Sequence, residues 1–218
     1  MNTGLPILGI ETSGELCSVA LMVNDTTFYE INILEKHVHS RKILNLIDIL
    51  LKEAGIELTK LSHIAVSIGP GSFTGLRIGL TTAKGIGFGS NLPIVPVPTF
   101  NAMSLQISDF VPANSNFAIV KNASMDDLYF ARFNYDEKGI RSIKELSLVK
   151  KNEVEQIITS QELVFSDVDL NIPSKKVIGP DAYNICRYSY FFGKDLLTFD
   201  YDYLEPFYLK QFLARVKQ

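Results

Sequence analysis

The sequence has little of what many metal, redox and nucleic-acid signatures need. It holds two cysteines and three histidines in 218 residues. Cys17 and Cys186 lie far apart and no secretory signal accompanies them. Buried, reduced thiols of a cytoplasmic protein are expected rather than a disulfide. The N-terminus shows neither the basic region nor the long apolar stretch of a signal peptide. No run approaches the ~20 apolar residues of a membrane-spanning helix, so no membrane association is expected. There is also no basic block. The net charge is −3 and the pI about 5.7, which argues against the chain gripping RNA by itself through phosphate neutralisation. His37 and His39 stand two apart on an irregular segment and cannot share a helix face as an i, i+4 pair would. They are read as exposed or capping residues, with no metal expected. His63 precedes an apolar run and has no evident partner.

Nucleotide and hydrolase signatures are missing too. A P-loop needs Lys directly after its last glycine, and Gly75 is followed by Leu76. A dinucleotide fingerprint fails because Gly69, Gly71 and Gly75 are spaced one residue too long. A nucleophile elbow fails because Gly71 directly precedes Ser72. Yet these glycines are the focus of the chain. The apolar run 64–68 leads into Gly69-Pro70-Gly71-Ser72-Phe73-Thr74-Gly75-Leu76-Arg77, and a helically periodic run follows over 76–88. That order predicts a buried strand, a tight turn and a helix N-terminus. Glycine permits positive φ and proline fixes φ, as a tight turn requires. Free N–H groups at such a terminus can hold an anion, so Gly69, Gly71, Ser72, Thr74 and Gly75 form a candidate anion or nucleotide turn. Ser72 and Thr74 are nucleophile candidates by chemistry alone. Capping is the preferred reading, because these residues usually cap at a strand-to-helix turn.

Nearly half of the residues are hydrophobic (46%), enough for a real core. The pattern predicts strands at 6–11, 16–23 and 26–34, a helix over 40–54 capped by Ser40 and closed by Gly55, the strand 64–68, the helix 76–88, a strand at 94–97 and a helix near 100–109. Further strands are predicted at 117–120, 128–135, 140–149, 163–165 and 176–178, with helices at 153–158 and 181–191. The aromatic segment 201–217 is predicted to end as a helix returning to the first half.

The string G-P-G-S-F-T-G-L-R-I-G over 69–79 resembles the signature of the TsaB (YeaZ) family, a component of the bacterial machinery that makes N6-threonylcarbamoyladenosine in tRNA. Ile7-Leu8-Gly9-Ile10-Glu11-Thr12-Ser13 resembles the family's opening strand and turn. His39-Ser40 with Ile43-Leu44 and Leu50-Leu51 resembles its first helix, and Glu205-Pro206-Phe207-Tyr208-Leu209 its terminal P-x-Y-L element. Two departures stand out: Glu11 where the family usually has Asp, and Asn122-Ala123-Ser124 where it usually has Asp-Ala-Arg. The order β-β-β-α-β-α-β-α is similar to a ribonuclease-H-like lobe. The expected fold is α/β, with two such lobes of the actin/Hsp70/sugar-kinase (ASKHA) class and the second reduced. The first lobe is expected over about residues 1–105 with segment 201–218 returning to it, and the second over 106–200.

Helical periodicity points to a partner surface. Leu46, Leu50, Ile43, Ala54, Ile47, Leu51 and Leu44 cover an arc of roughly 160°, wider than the ~100° that one core needs. The second helix has two apolar faces, one carrying Gly75, Ile78, Gly79, Thr82, Gly85, Ile86 and Gly89. Each interior glycine costs ~1 kcal/mol against alanine, which is explained if another backbone packs very close. Leu44, Ile47, Leu51, Ile78, Gly79, Thr82, Gly85 and Ile86 are therefore candidate interface residues. The competing reading is that sheet and lobe contacts cover everything.

The resemblance implies a scaffold with no catalytic residues of its own and no activity alone. Its partner would be a TsaD-like catalytic subunit, with a TsaE-like ATPase recruited to the pair and tRNA reached only through the complex. A homodimer would use the same face when TsaD is absent. No metal or cofactor is implied beyond the open case of a nucleotide at the lobe junction or complex interface. The alternative is an independent nucleotide-dependent kinase or metallopeptidase-like hydrolase.

Overall fold

The computed structural model describes residues 4–159 and 162–209. Ten strands and five α-helices occur there. The first half runs β1 (Ile7–Glu11), β2 (Leu16–Met22), β3 (Phe28–Leu34), α1 (His39–Ala54), β4 (His63–Gly69), α2 (Phe73–Ser90), β5 (Ile94–Pro98) and α3 (Thr99–Ser108). The second half runs β6 (Ser115–Asn122), β7 (Asp127–Asp136), β8 (Gly139–Lys150), α4 (Val154–Ile157), β9 (Leu163–Ser166), β10 (Lys175–Lys176) and α5 (Ala182–Phe192).

The two halves build the same sheet twice. The first has the order β3-β2-β1-β4-β5 and the second β8-β7-β6-β9-β10. In each, the first three strands pair antiparallel and the last three parallel. Parallel neighbours need a crossover. In the first half α1 and α2 supply the two crossovers; in the second only the four-residue α4 remains, and β9 reaches β10 without a helix. That is the physical content of a reduced second half.

Strand alternation divides the apolar residues between faces. Leu8, Ile10, Val19 and Leu21 meet Ile43, Leu46 and Leu50 of α1 and Leu80 of α2. Ile7, Ala20 and Val95 meet Ala182 and Ile185 of α5 on the other face. Phe117, Ile119 and Phe133 of the second sheet pack on Phe100, Met103 and Ile107 of α3, while Val120 and Phe130 cover Val154 of α4. Helix α3 of the first half thus serves both sheets, with Ala102 on the first and Phe100, Met103 and Ile107 on the second, and α5 of the second half serves the first. The chain returns to the first sheet at Ala182, earlier than the tail at 201–218.

Several local expectations change. α1 begins at His39, with Val38 in the cap position and no side-chain cap, so Ser40 lies inside the helix. Gly55 does close α1, at φ +63°. α2 starts at Phe73 because Ser72, not a later residue, accepts from Gly75 N–H. The pairing expected at 176–178 shrinks to Lys175 and Lys176, although Val177 N–H still donates to Ser166 O at 2.9 Å. The expected C-terminal helix falls mainly on residues outside those described.

Candidate functional site

The glycine turn is a packing device. Gly69 has φ +117° and precedes a cis peptide bond to Pro70. Gly71 has no positive φ, contrary to the tight-turn expectation. It is glycine because a Cβ would strike the carbonyl oxygen and Cβ of Ser13. A Cβ at Gly75 would strike Thr12 O, and one at Gly79 would strike Thr12 Oγ1. The close neighbour that Gly75 and Gly79 of α2 require is therefore the chain's own β1–β2 turn. Thr12 Oγ1 donates to Gly75 O at 2.8 Å, and Ser72 N–H donates to Ser13 O at 2.7 Å. Gly75 N–H donates to the Ser72 hydroxyl at 3.2 Å and Leu76 N–H to Ser72 O at 2.9 Å. Those donors point at the chain's own oxygens. Thr74 is exposed in the first turn of α2 and is not the cap.

Behind the turn lies a buried polar junction between the sheets. Glu11, at the end of β1, is 1% exposed. Its Oε1 accepts from Ser13 N–H, while Oε2, Ser13 Oγ and Ser67 Oγ have no hydrogen-bond partner among the described residues. The two hydroxyls approach the carboxylate without reaching hydrogen-bond geometry. Burial pushes the Glu11 carboxyl above the usual range, and the nearby hydroxyls, the Ser13 N–H and the Lys121 ammonium only partly oppose it. Lys121, on β6, is buried and donates to Ile178 O at 2.6 Å, with Asp167 at 3.6 Å. In the sequence Glu11 stands out only as a departure from the family pattern, and nothing local pairs it with Lys121, a Lys in an apolar strand.

The histidines part company. His37 is exposed at φ +60°, whereas His39 is buried in the first turn of α1 with Nε2 3.2 Å from Leu16 O. His63 does have partners: Ser189 Oγ at 2.6 Å from Nε2 and Ser62 Oγ at 3.2 Å from Nδ1. No group of three or more His, Cys, Asp or Glu side chains suited to a metal occurs among the described residues.

The candidate partner residues divide into two sets. Ile47 is core at 3% exposure and Gly79 is buried beneath Thr12, so neither faces outward. Leu51, Ile78 and Ile86 are half-buried and pack on the first core. Thr82 is half-buried, with its hydroxyl bonded to Ile78 O at 2.8 Å. Leu44 is 63% exposed. Gly85 and Gly89 are exposed, with nothing within 4 Å of a built Cβ. On α2, residues Thr74, Ile78, Thr81, Thr82, Gly85 and Gly89 fall within one arc of roughly 100° and carry no charge. Phe88 is 78% exposed beside this arc. Periodicity assigns it to neither apolar face, so sequence reasoning misses it.

A family model described as tRNA N6-adenosine threonylcarbamoyltransferase (TsaD) matches residues 33–189. A Haemophilus influenzae protein named tRNA threonylcarbamoyladenosine biosynthesis protein TsaB is 36% identical over 128 residues, 59% of this chain and 53% of that protein. A TsaB of Buchnera aphidicola is 30% identical over 156 residues, 70% of each chain. The chain belongs to the TsaB (YeaZ) family. It spans about half the length of the Haemophilus TsaB. A solved Pseudomonas aeruginosa structure, described as similar to peptidase YeaZ, superposes with a TM-score of 0.80 at 21% identity, covering 95% of this chain and all of the other. At that identity the likeness is one of fold. Within the TsaB signature, Gly71, Gly75 and Gly79 thus share one structural role, which is to admit the Thr12–Ser13 turn.

Proposed function

We propose that this chain is a non-catalytic scaffold subunit in the N6-threonylcarbamoyladenosine modification of tRNA. It pairs with a TsaD-type catalytic subunit and, as that pair, recruits a TsaE-type ATPase. The observation that carries the reading is the surface between α1 and α2. Helices α1 and α2 pack side by side over the first core. Their outward surface joins Leu44, Leu51, Ile78, Thr82, Gly85 and Ile86 in a strip whose α2 side is uncharged. Exposed apolar helix surface of this kind marks a protein partner. The same face would serve a two-fold homodimer when the catalytic subunit is absent.

The match to the family model described for TsaD supports a partner built on related architecture. The duplicated sheet order supports two ribonuclease-H-like lobes of the ASKHA class. We place the first at about residues 1–105 with α5 and segment 201–208 packed back onto it, and the second over the remaining part of 106–200. The net charge of −3 fits an indirect contact with tRNA. No helix among the described residues is long and apolar enough to cross a membrane, and two buried free thiols suit a cytoplasmic location.

The test is a threonylcarbamoylation assay on tRNA with TsaD-type and TsaE-type subunits, with and without this chain. Modification should depend on the chain. Full modification without it, or ATP turnover by the purified chain alone, would favour an independent enzyme.

A further inference from the structure

We infer that Arg77 and Tyr208 are positioning residues for the partner face, acting through a strap formed by segment 201–209; this rests on the partner reading above. The segment runs beside α2 from one end to the other. Tyr201 Oη lies 3.1 Å from Gly87 O and 2.9 Å from Leu92 O, so it holds the C-terminal end of α2. The Tyr201 ring also meets Phe88 edge-on at 6.2 Å. Leu204 packs into the first core. Phe207 N–H donates to Ile68 O at 2.7 Å, and its carbonyl lies against Gly69, where a Cβ would not fit. Tyr208 then reaches the N-terminal end of α2: its ring lies 5.1 Å from Phe73, and Arg77 Nε donates to its hydroxyl at 3.3 Å. The Arg77 guanidinium covers the other side of this cluster, 3.9 Å from the Phe73 ring centre. Leu209 finally packs, half-buried, against the core of the second sheet.

Helix α2 is thus gripped at its N-terminus from two flanks. Thr12 and Ser13 press on the glycine flank, and Tyr208 presses on the Phe73–Arg77 flank. Neither Arg77 nor Tyr208 belongs to the uncharged arc. Their effect on a partner would pass through the tilt of α2, because packed helix interfaces tolerate little displacement. Leu209 makes the strap continuous with the second sheet, so packing there is felt at the partner face.

The test is a double-mutant cycle on affinity for the TsaD-type subunit, using the full chain. Arg77→Ala and Tyr208→Ala should each weaken binding roughly tenfold, within the range that coupled positions remote from a ligand show. The double variant should be no worse than either single, because both break one latch. Tyr208→Phe, which keeps the ring on Phe73 but removes the Arg77 hydrogen bond, should weaken binding about as much as Arg77→Ala. Wild-type affinity in Tyr208→Ala, or effects that multiply in the double variant, would overturn the inference. Hydrogen exchange on the chain alone separates this from the partner reading. Tyr208→Ala should speed exchange in the first two turns of α2 while β1 and β4 keep their protection. Unchanged exchange in α2 would refute the strap even if the partner binds.

Discussion

His63 shows how far a single buried side chain commits the chain. It is fully buried at the start of β4, and burial pushes its imidazole down to about 4. An unfolded histidine titrates near ~6.5. Below that pH the unfolded chain takes up a proton that native His63 refuses. Its contribution to stability is therefore complete above pH ~6.5 and is lost as pH falls toward ~4, up to roughly 3 kcal/mol. Glu11 and Glu30, both raised chiefly by burial, act in the opposite sense, since the native state takes their protons first as pH falls. The comparison must therefore be between wild type and His63→Gln. Urea midpoints at pH 7 and pH 4.5 should fall further in wild type than in the variant; equal falls would mean that His63 is not held neutral. At Gly71 the expectation is steric. Gly71→Val should cost ~3 kcal/mol by overpacking against Ser13, while Ser72→Ala should cost ~1 kcal/mol by loss of the cap. A melting temperature for Gly71→Val at or above that of Ser72→Ala would count against this packing. The sequence makes Gly71 conspicuous but not its reason: positive φ and close approach both select glycine, and only the position of Ser13 separates them. His63 and Ser189 are 126 residues apart, so no local pattern can pair them.

Among the elements, α1 and α2 are readable because helical period and excess apolar arc are local properties. Which part of each arc is covered is not. Ile47 turns inward because the first sheet is wide enough to receive it, and Gly79 because the β1–β2 turn reaches over α2. Phe88 escapes notice because it follows Gly87 at the apolar end of the helix, next to a strap that is distant in sequence. Substitutions should be chosen from what remains outside. Thr82→Arg and Leu44→Glu each place a charge on the exposed strip. They should leave the melting temperature within about 2 °C of wild type, since surface changes usually stay within ~0.5 kcal/mol. They should abolish pairing at micromolar concentration, because burying an unpaired charge costs several kcal/mol. Leu51→Glu is a poorer probe, as Leu51 also packs on the core. Sedimentation of the two exposed variants with the catalytic subunit checks this; normal assembly by both would place the interface elsewhere.

At the scale of the molecule, the two sheets repeat one strand order, and each half lends a helix to the other's sheet. That exchange is hidden in the sequence because the halves share no visible repeat and because α5 reads locally as one more amphipathic helix. It ties the halves through Ser18 Oγ, which accepts from Ala182 N–H at 2.8 Å, and through Glu30, which accepts from Tyr183 N–H at 2.9 Å. A chain cut before Ala182 should therefore lose the packing on the other face of the first sheet, leaving Cys186's place against Ile7 and Ala20 open to solvent. Thermal unfolding of that truncation should broaden and fall by more than ~10 °C, because its lost core area far exceeds that of a single substitution; an unchanged transition would mean that α5 adds nothing to the first sheet. The most direct measurement is the mass of the complex formed when this chain is mixed with a TsaD-type subunit, read by light scattering after size exclusion. One copy of each chain in wild type, and separate species with Thr82→Arg, is the predicted result. A wild-type mixture that elutes as two unassociated proteins would contradict the scaffold role.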